Sequence, residues 1–188
     1  MTTTTTYPVH TLDTAPAASR PLLERLTKSV GMVPNLAAAM AESPVLLEGF
    51  LAVREIFHHG SFTPAEAQVL ALTNAYENGC RYCMALHSAM ALKDGVPQDG
   101  VAALREGRPP REPRLAALSD LSRRLVAARG HVREHDLGRF AAAGFSRAQA
   151  LEVVLGVAVS VLPNFAHHIT GCPVDEVFGA HLWEGHRG

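Results

Sequence analysis

Residues 77–88 read Glu77-Asn78-Gly79-Cys80-Arg81-Tyr82-Cys83-Met84-Ala85-Leu86-His87-Ser88, and the fold turns on this stretch. Asn78-Gly79 interrupts an apolar helix expected over Gln68 to Tyr76. Cys80 to Leu92 resumes with good helix formers until Asp94-Gly95 stops it. The cysteines therefore open a helix. At about 100° per residue, Cys80, Cys83 and His87 fall within about 60° of one another, on one face over two turns.

That placement suits thiol chemistry. Unpaired N–H groups and the positive dipole end of a first turn stabilise a thiolate. His87, one turn beyond Cys83, is placed to take its proton or to hold the thiolate as an ion pair. Cys80 is close enough to resolve an oxidised Cys83. The result is a full cycle: attack on peroxide, sulfenic acid, disulfide, and re-reduction by an external dithiol. Other uses of Cys-x-x-Cys fit less well. Zinc wants four ligands, and only a distant histidine is left to complete a set. A thioredoxin-like module needs a βαβ pattern, and a c-type haem needs His directly after the second cysteine, where Met84 stands. No metal and no cofactor are expected. Two buried structural cysteines beside a core histidine remain the bland alternative.

Outward from this stretch the pattern stays helical. Pro21–Val30, Leu36–Met40 and Pro44–Phe57 repeat apolar residues at three- and four-residue spacing, with corners at Gly31-Met32-Val33-Pro34-Asn35 and Ser43-Pro44. Phe62-Thr63-Pro64-Ala65-Glu66 starts a helix through a capping box, and Phe145-Ser146-Arg147-Ala148-Gln149 repeats its grammar. Further helices are expected from Leu115 to Arg129, around Asp136 to Ala143, and from about Arg147 to Val161, with Pro163 near the end or at a kink. The fold class is all-α, a helical bundle. It forms one domain over residues 15–188 behind a disordered or extended tail, residues 1–14.

Composition excludes several function classes. The 188 residues carry a formal net charge of −1 with 47% hydrophobic and 19% charged residues, an ordinary globular balance. Basic and acidic residues are interspersed, so no nucleic-acid partner is expected. No apolar run reaches the roughly 18 residues a spanning helix needs, and the N-terminus lacks a signal-peptide pattern, so no membrane partner is expected. Three unevenly placed cysteines point to a reducing, cytoplasmic setting.

The Glu77 to Ser88 stretch resembles the signature of the carboxymuconolactone decarboxylase and alkylhydroperoxidase D superfamily. The likeness extends upstream through Phe62 to Ala75. Downstream, Leu151 to Gly156, Asn164, His168, Pro173, Val174 and Asp175 resemble the C-terminal helix of peroxidase-related members. This implies an alkylhydroperoxidase D-like bundle that assembles into homo-oligomers, often trimers or hexamers. It also implies a peroxiredoxin-like activity on hydroperoxide, sustained by an external dithiol reductant. By the resemblance, Cys83 is the peroxide-reacting thiol, Cys80 the resolving and reductant-facing thiol, and His87 part of the proton relay. Two positions depart from that pattern: Gln68 replaces a glutamate and Tyr82 replaces a histidine. Gln68 can orient a proton donor but cannot act as a general base, and Glu66 lies about 200° around the helix from it.

Gln68, Glu66, Tyr82, Asn164 and His168 complete the candidate relay and pocket. His58-His59, His131 and His135 read as solvated helix surface, and Cys172 as an incidental loop residue. The leading function is a thiol peroxidase or disulfide reductase. The alternatives are a cofactor-free decarboxylase or lyase of the same superfamily, and an oligomeric metal- or ligand-binding module.

Overall fold

The computed structural model describes residues 7–185. Nine α-helices, and no strand, occur among them: α1 (Arg20–Val30), α2 (Asn35–Met40), α3 (Pro44–His58), α4 (Pro64–Glu77), α5 (Arg81–Lys93), α6 (Gln98–Arg105), α7 (Pro113–Ala127), α8 (Glu134–Ala142) and α9 (Arg147–Thr170). A 3₁₀ segment, Glu176–His181, follows. The all-α expectation holds. Residues 1–6 of the expected tail lie outside the described residues. Thr11 to Thr14 closes a turn through Ala15 N–H to Thr11 O at 3.0 Å, and His10 Nε2 meets Glu42 Oε2 at 2.7 Å.

Helix α4 is the hub, packing against α5, α6, α7 and α9. It is buried on nearly every side, which its composition permits: Val69, Leu70, Leu72 and Ala75 supply apolar surface. Two of its four buried polar residues, Thr73 and Asn74, are satisfied by serines on the neighbours. Thr73 Oγ1 lies 2.9 Å from Ser119 Oγ. Asn74 accepts from Ser122 Oγ at 3.0 Å and donates to Ser160 Oγ at 3.2 Å. Each bond satisfies a group whose burial alone would cost about 1–3 kcal/mol.

Both expected capping boxes form, at Thr63 with Glu66 and at Ser146 with Gln149. The phenylalanines before them meet, Phe62 against Phe145 with centroids 6.1 Å apart. Helix α9 crosses α4 closely enough that a Cβ at Gly156 would sit 3.1 Å from Leu70 Cδ1 and 3.2 Å from Phe57 Cε2.

Helix α9 differs from the expectation. It does not end near Val161 but continues through Pro163 to Thr170, where Gly171 caps it with φ 60°. Proline removes one ladder bond, yet side chains beyond it are tied to α4 and α5, as described below. The 24-residue helix is long and apolar enough to cross a membrane by length and composition. It packs instead against α2, α3, α4, α5, α7 and α8. Leu151, Val154, Phe165 and Ile169 stay exposed along it.

Candidate active site

The α4–α5 turn builds the site. Gly79 takes φ 65°; its N–H donates to Tyr76 O at 2.9 Å, and Cys80 N–H to Ala75 O at 2.8 Å. This is the two-bond Schellman ending that a non-glycine would strain. It delivers Cys80 to the N-cap of α5 with extended backbone, φ −81° and ψ 101°. There Cys80 Sγ accepts from Cys83 N–H at 3.2 Å. Sulfur stands where a capping Ser or Asp oxygen would.

The two thiols are both buried, at 0% and 2% exposure, and are opposite in acidity. Cys80 is driven down from the ordinary 9.0 to about 5, first by the Cys83 thiol donating to it, then by His167 and the Cys83 backbone N–H, against the cost of burial. Cys83 is pushed well up, first by burial and then by that same bond and the Cys80 charge, with the Asn164 amide opposing. Within the coupled pair Cys80 is thus the more acidic thiol and Cys83 the less acidic one. All three cysteines are free.

The C-terminal half of α9 clamps this arrangement. Asn164, 2% exposed, accepts from Asn78 Nδ2 at 2.8 Å, and His168 Nε2 donates to Asn78 O at 2.7 Å. Asn164 and His168, both named as pocket candidates, thus meet the α4–α5 turn through Asn78. His167, which sequence reasoning passed over, packs its ring against Tyr82 and helps lower Cys80. It lies three residues from Asn164, so the same helical face carries both; that spacing was the available signal.

His87 faces a different neighbourhood. Its Nδ1–H donates to Gln68 Oε1 at 2.8 Å, and Gln68 Nε2 donates to Asp94 Oδ2 at 2.8 Å. Burial, then Arg54 and His58, lower His87 to about 4, against the pull of Asp94. The ring is neutral at pH 7, with its proton on Nδ1. These two bonds lead from His87 through Gln68 of α4 to Asp94, away from both sulfurs. A cavity of about 110 Å³, lined by Phe57, His58, Phe62, Pro64, Ala67, Gln68 and Asp94, adjoins the His87 end. A larger one, about 300 Å³, lies between α7 and α8 and has no thiol in its lining.

Two other relay candidates take structural duties. Glu66 Oε2 accepts from Thr63 N–H at 2.9 Å in the capping box, and Glu66 Oε1 from Arg114 Nε at 2.7 Å. Tyr82, fully buried, donates to the Asp175 carboxylate in a short bond, and its ring lies 5.8 Å from His167. Burial, then the Asp175 bond and charge, push the phenol far up, so it stays protonated. Among the described residues no group of three or more His, Cys, Asp or Glu is arranged to hold a metal ion.

The described residues form an all-helical protein with Cys80 at the N-cap of one helix and Cys83 three residues on. Residues 44–118, spanning α3 to the start of α7, match the model of the carboxymuconolactone decarboxylase family. Over that segment, which holds Cys80, Cys83 and His87, the chain is similar to the carboxymuconolactone decarboxylase family. Solved structures share its fold. A peroxidase-related protein of Ralstonia eutropha JMP134, described as an alkylhydroperoxidase AhpD core, aligns with TM-score 0.79 at 24% identity, covering 92% of this chain and 93% of that one. A peroxidase-related protein of Silicibacter sp. TM1040 aligns with TM-score 0.75 at 18% identity over 92% and 91%. The debrominase Bmp8 does so with TM-score 0.75 at 17% identity over 96% and 97%. The comparison with curated proteins returns no match.

Proposed function

We propose that the chain is a thiol-dependent peroxidase of peroxiredoxin type, in which Cys80 attacks the hydroperoxide and Cys83 resolves it. The observation that carries this reading is the N-cap sulfur of Cys80, held as a thiolate by the Cys83 thiol, the Cys83 N–H and His167. The order reverses the one the resemblance implies. A thiolate is the nucleophile, and the only thiol lowered into that form is Cys80.

The electrons balance without a cofactor. Cys80 sulfur takes the terminal oxygen of ROOH as the O–O bond breaks, giving a sulfenic acid and an alkoxide. The alkoxide takes the Cys83 proton and leaves as ROH. The new Cys83 thiolate attacks Cys80 sulfur, forming the disulfide and expelling hydroxide, which solvent protonates. An external dithiol then reduces the disulfide and is itself oxidised. A cytoplasmic setting, where such dithiols are kept reduced, belongs to this reading.

Leu151, Val154, Phe165 and Ile169 are the exposed apolar residues of α9. They fall within about 60° on the helix. That stripe supports assembly into homo-oligomers, trimers or hexamers.

The test is consumption of cumene hydroperoxide with a dithiol reductant. Cys80→Ser should abolish it, while Cys83→Ser should still consume one equivalent and then stall or slow. Turnover retained in Cys80→Ser, or three free thiols persisting in wild type after one equivalent, would sink the reading. The debrominase likeness sets the control substrate, a bromopyrrole, since a fold hosts several chemistries.

A further inference from the structure

Cys172 follows Gly171, the cap of α9, in an irregular segment that runs to Asp175. It is 5% exposed and belongs to the same buried cluster as Cys80 and Cys83. Two bonds stitch its segment to the α4–α5 turn. Asn78 O accepts from His168 Nε2 at 2.7 Å, and Tyr82 donates to the Asp175 carboxylate. Asn78 and Tyr82 each stand two residues from Cys80; His168 and Asp175 stand four and three residues from Cys172. The two cysteines are thus bracketed by contacts between their own neighbours. A third contact, Asn35 N–H to Asp175 Oδ1 at 3.0 Å, anchors the segment to α2. The electrostatics agree, because the charge of Cys80 is felt at Cys172 and that of Cys172 at Cys83.

From this juxtaposition we infer that Cys172 is a third redox thiol of the site, able to resolve a Cys80 sulfenic acid in place of Cys83. The inference rests on Cys80 being the attacking thiolate, as proposed above. In the step, Cys172 sulfur displaces the hydroxyl of the Cys80 sulfenic acid. An S–S bond forms, the S–O bond breaks, and hydroxide leaves with the Cys172 proton as water. The oxidant is the hydroperoxide already consumed in making the sulfenic acid. Cys83 is fixed on a helix, whereas Cys172 sits between exposed Gly171 and Pro173 on backbone free of helical hydrogen bonding. Its segment is held against the α4–α5 turn by side-chain bonds rather than by a helical backbone. Cys172 is pushed up, first by burial and then by the Asp175 and Cys80 charges against a Thr170 bond. Closure through it therefore quickens as pH rises. A second resolving thiol shields Cys80 from further oxidation when Cys83 is already engaged.

The experiment gives one equivalent of cumene hydroperoxide to wild type, Cys83→Ser, Cys83→Ser/Cys172→Ser and Cys83→Ser/Cys172→Ala at high dilution. Disulfide-linked peptides and sulfenic acid trapped by dimedone are then mapped. The expected result is a Cys80–Cys172 disulfide in Cys83→Ser, with at least tenfold less trapped sulfenic acid than in either double variant. With excess peroxide, both double variants should accumulate sulfinic acid at Cys80 and the single variant should not. Equal sulfenic acid in the single and double variants overturns the role of Cys172 while wild-type Cys80–Cys83 closure leaves the peroxidase reading standing. Wild type that keeps all three thiols overturns both.

Discussion

The two ends of α5 belong to one helix face, yet they do different things. At the N-terminal end, Cys80 and Cys83 meet Asn164 and His167 of α9, and a thiolate is stabilised. Just beyond, His87 meets Gln68 of α4 and Asp94, and a cation is disfavoured. Burial opposes charge at both ends; what differs is the hydrogen-bond supply. Cys80 receives a backbone N–H, a thiol and an imidazole, enough to overcome desolvation. His87 receives an amide oxygen, which fixes a tautomer but adds no charge, while Arg54 and His58 repel a second proton. A shared helical face decides which side chains can act together. The helices opposite decide which ones do.

The contrast between the two thiols has the largest expected consequence. Alkylation by iodoacetamide at pH 7 should label Cys80 at least 100-fold faster than Cys83, followed by peptide mass mapping, since only a thiolate reacts. The Cys80 rate should stay flat above about pH 6 and fall below pH 5, the value to which its pKa is lowered. A faster Cys83 would reverse the order of attack and restore the assignment drawn from the resemblance.

Protonation at the His87 end should appear as stability. The folded state holds His87 near 4 against 6.5 when unfolded. The unfolded chain thus binds the extra proton first. Stability from this group is complete above pH 6.5 and drains as pH falls to 4, by on the order of 2 kcal/mol. Cys80 has the same sign in a higher window, with stability rising from pH 5 toward 9. Urea unfolding against pH should therefore lose its lower-window slope in His87→Gln and its upper-window slope in Cys80→Ser. An unchanged lower window in His87→Gln would mean that the ring is not held neutral by its surroundings.

Removing the imidazole from the thiol end is a smaller change. His167→Ala should raise the Cys80 pKa, while the two bonds from Cys83 remain. The thiolate absorbance at 240 nm, titrated in wild type and variant, reads this directly. The same variant should leave the His87 window of the stability profile in place.

Much of this layout was legible in the sequence because it is local. The capping boxes at Thr63 and Ser146, the break at Asn78-Gly79 and the opening of α5 by Cys80 each follow from a few adjacent residues, and the structure has all of them. What escaped depends on elements distant in the chain. Nothing near Pro163 announces that α9 continues to Thr170, because Asn78 and Cys83 hold its far half from across the core. His167 and His168 look alike in sequence, and only the docking of α9 on the α4–α5 turn sends one to a sulfur and the other to a carbonyl. Glu66 shows the same limit within one helix. It stood among the candidate relay groups although it lies about 200° around the helix from Gln68, and Thr63 and Arg114 use both its oxygens.

Glu66 supplies the smallest of the tests, and it separates architecture from chemistry. Glu66→Ala removes the acceptor for Thr63 N–H and the partner of Arg114, whose guanidinium also lies 3.7 Å over the Phe145 ring. A lost cap costs about 1 kcal/mol, and Arg114 is partly exposed and keeps its ring contact and its Ala143 carbonyl, so little is added. Thermal or urea unfolding should fall by about 1–1.5 kcal/mol on these terms. The Cys80 alkylation rate and its pH profile should not move, because no bond links Glu66 to α5 or to the C-terminal half of α9. A variant that kept its stability but slowed Cys80 would put Glu66 back in the proton path and dissolve the division between the two ends of α5.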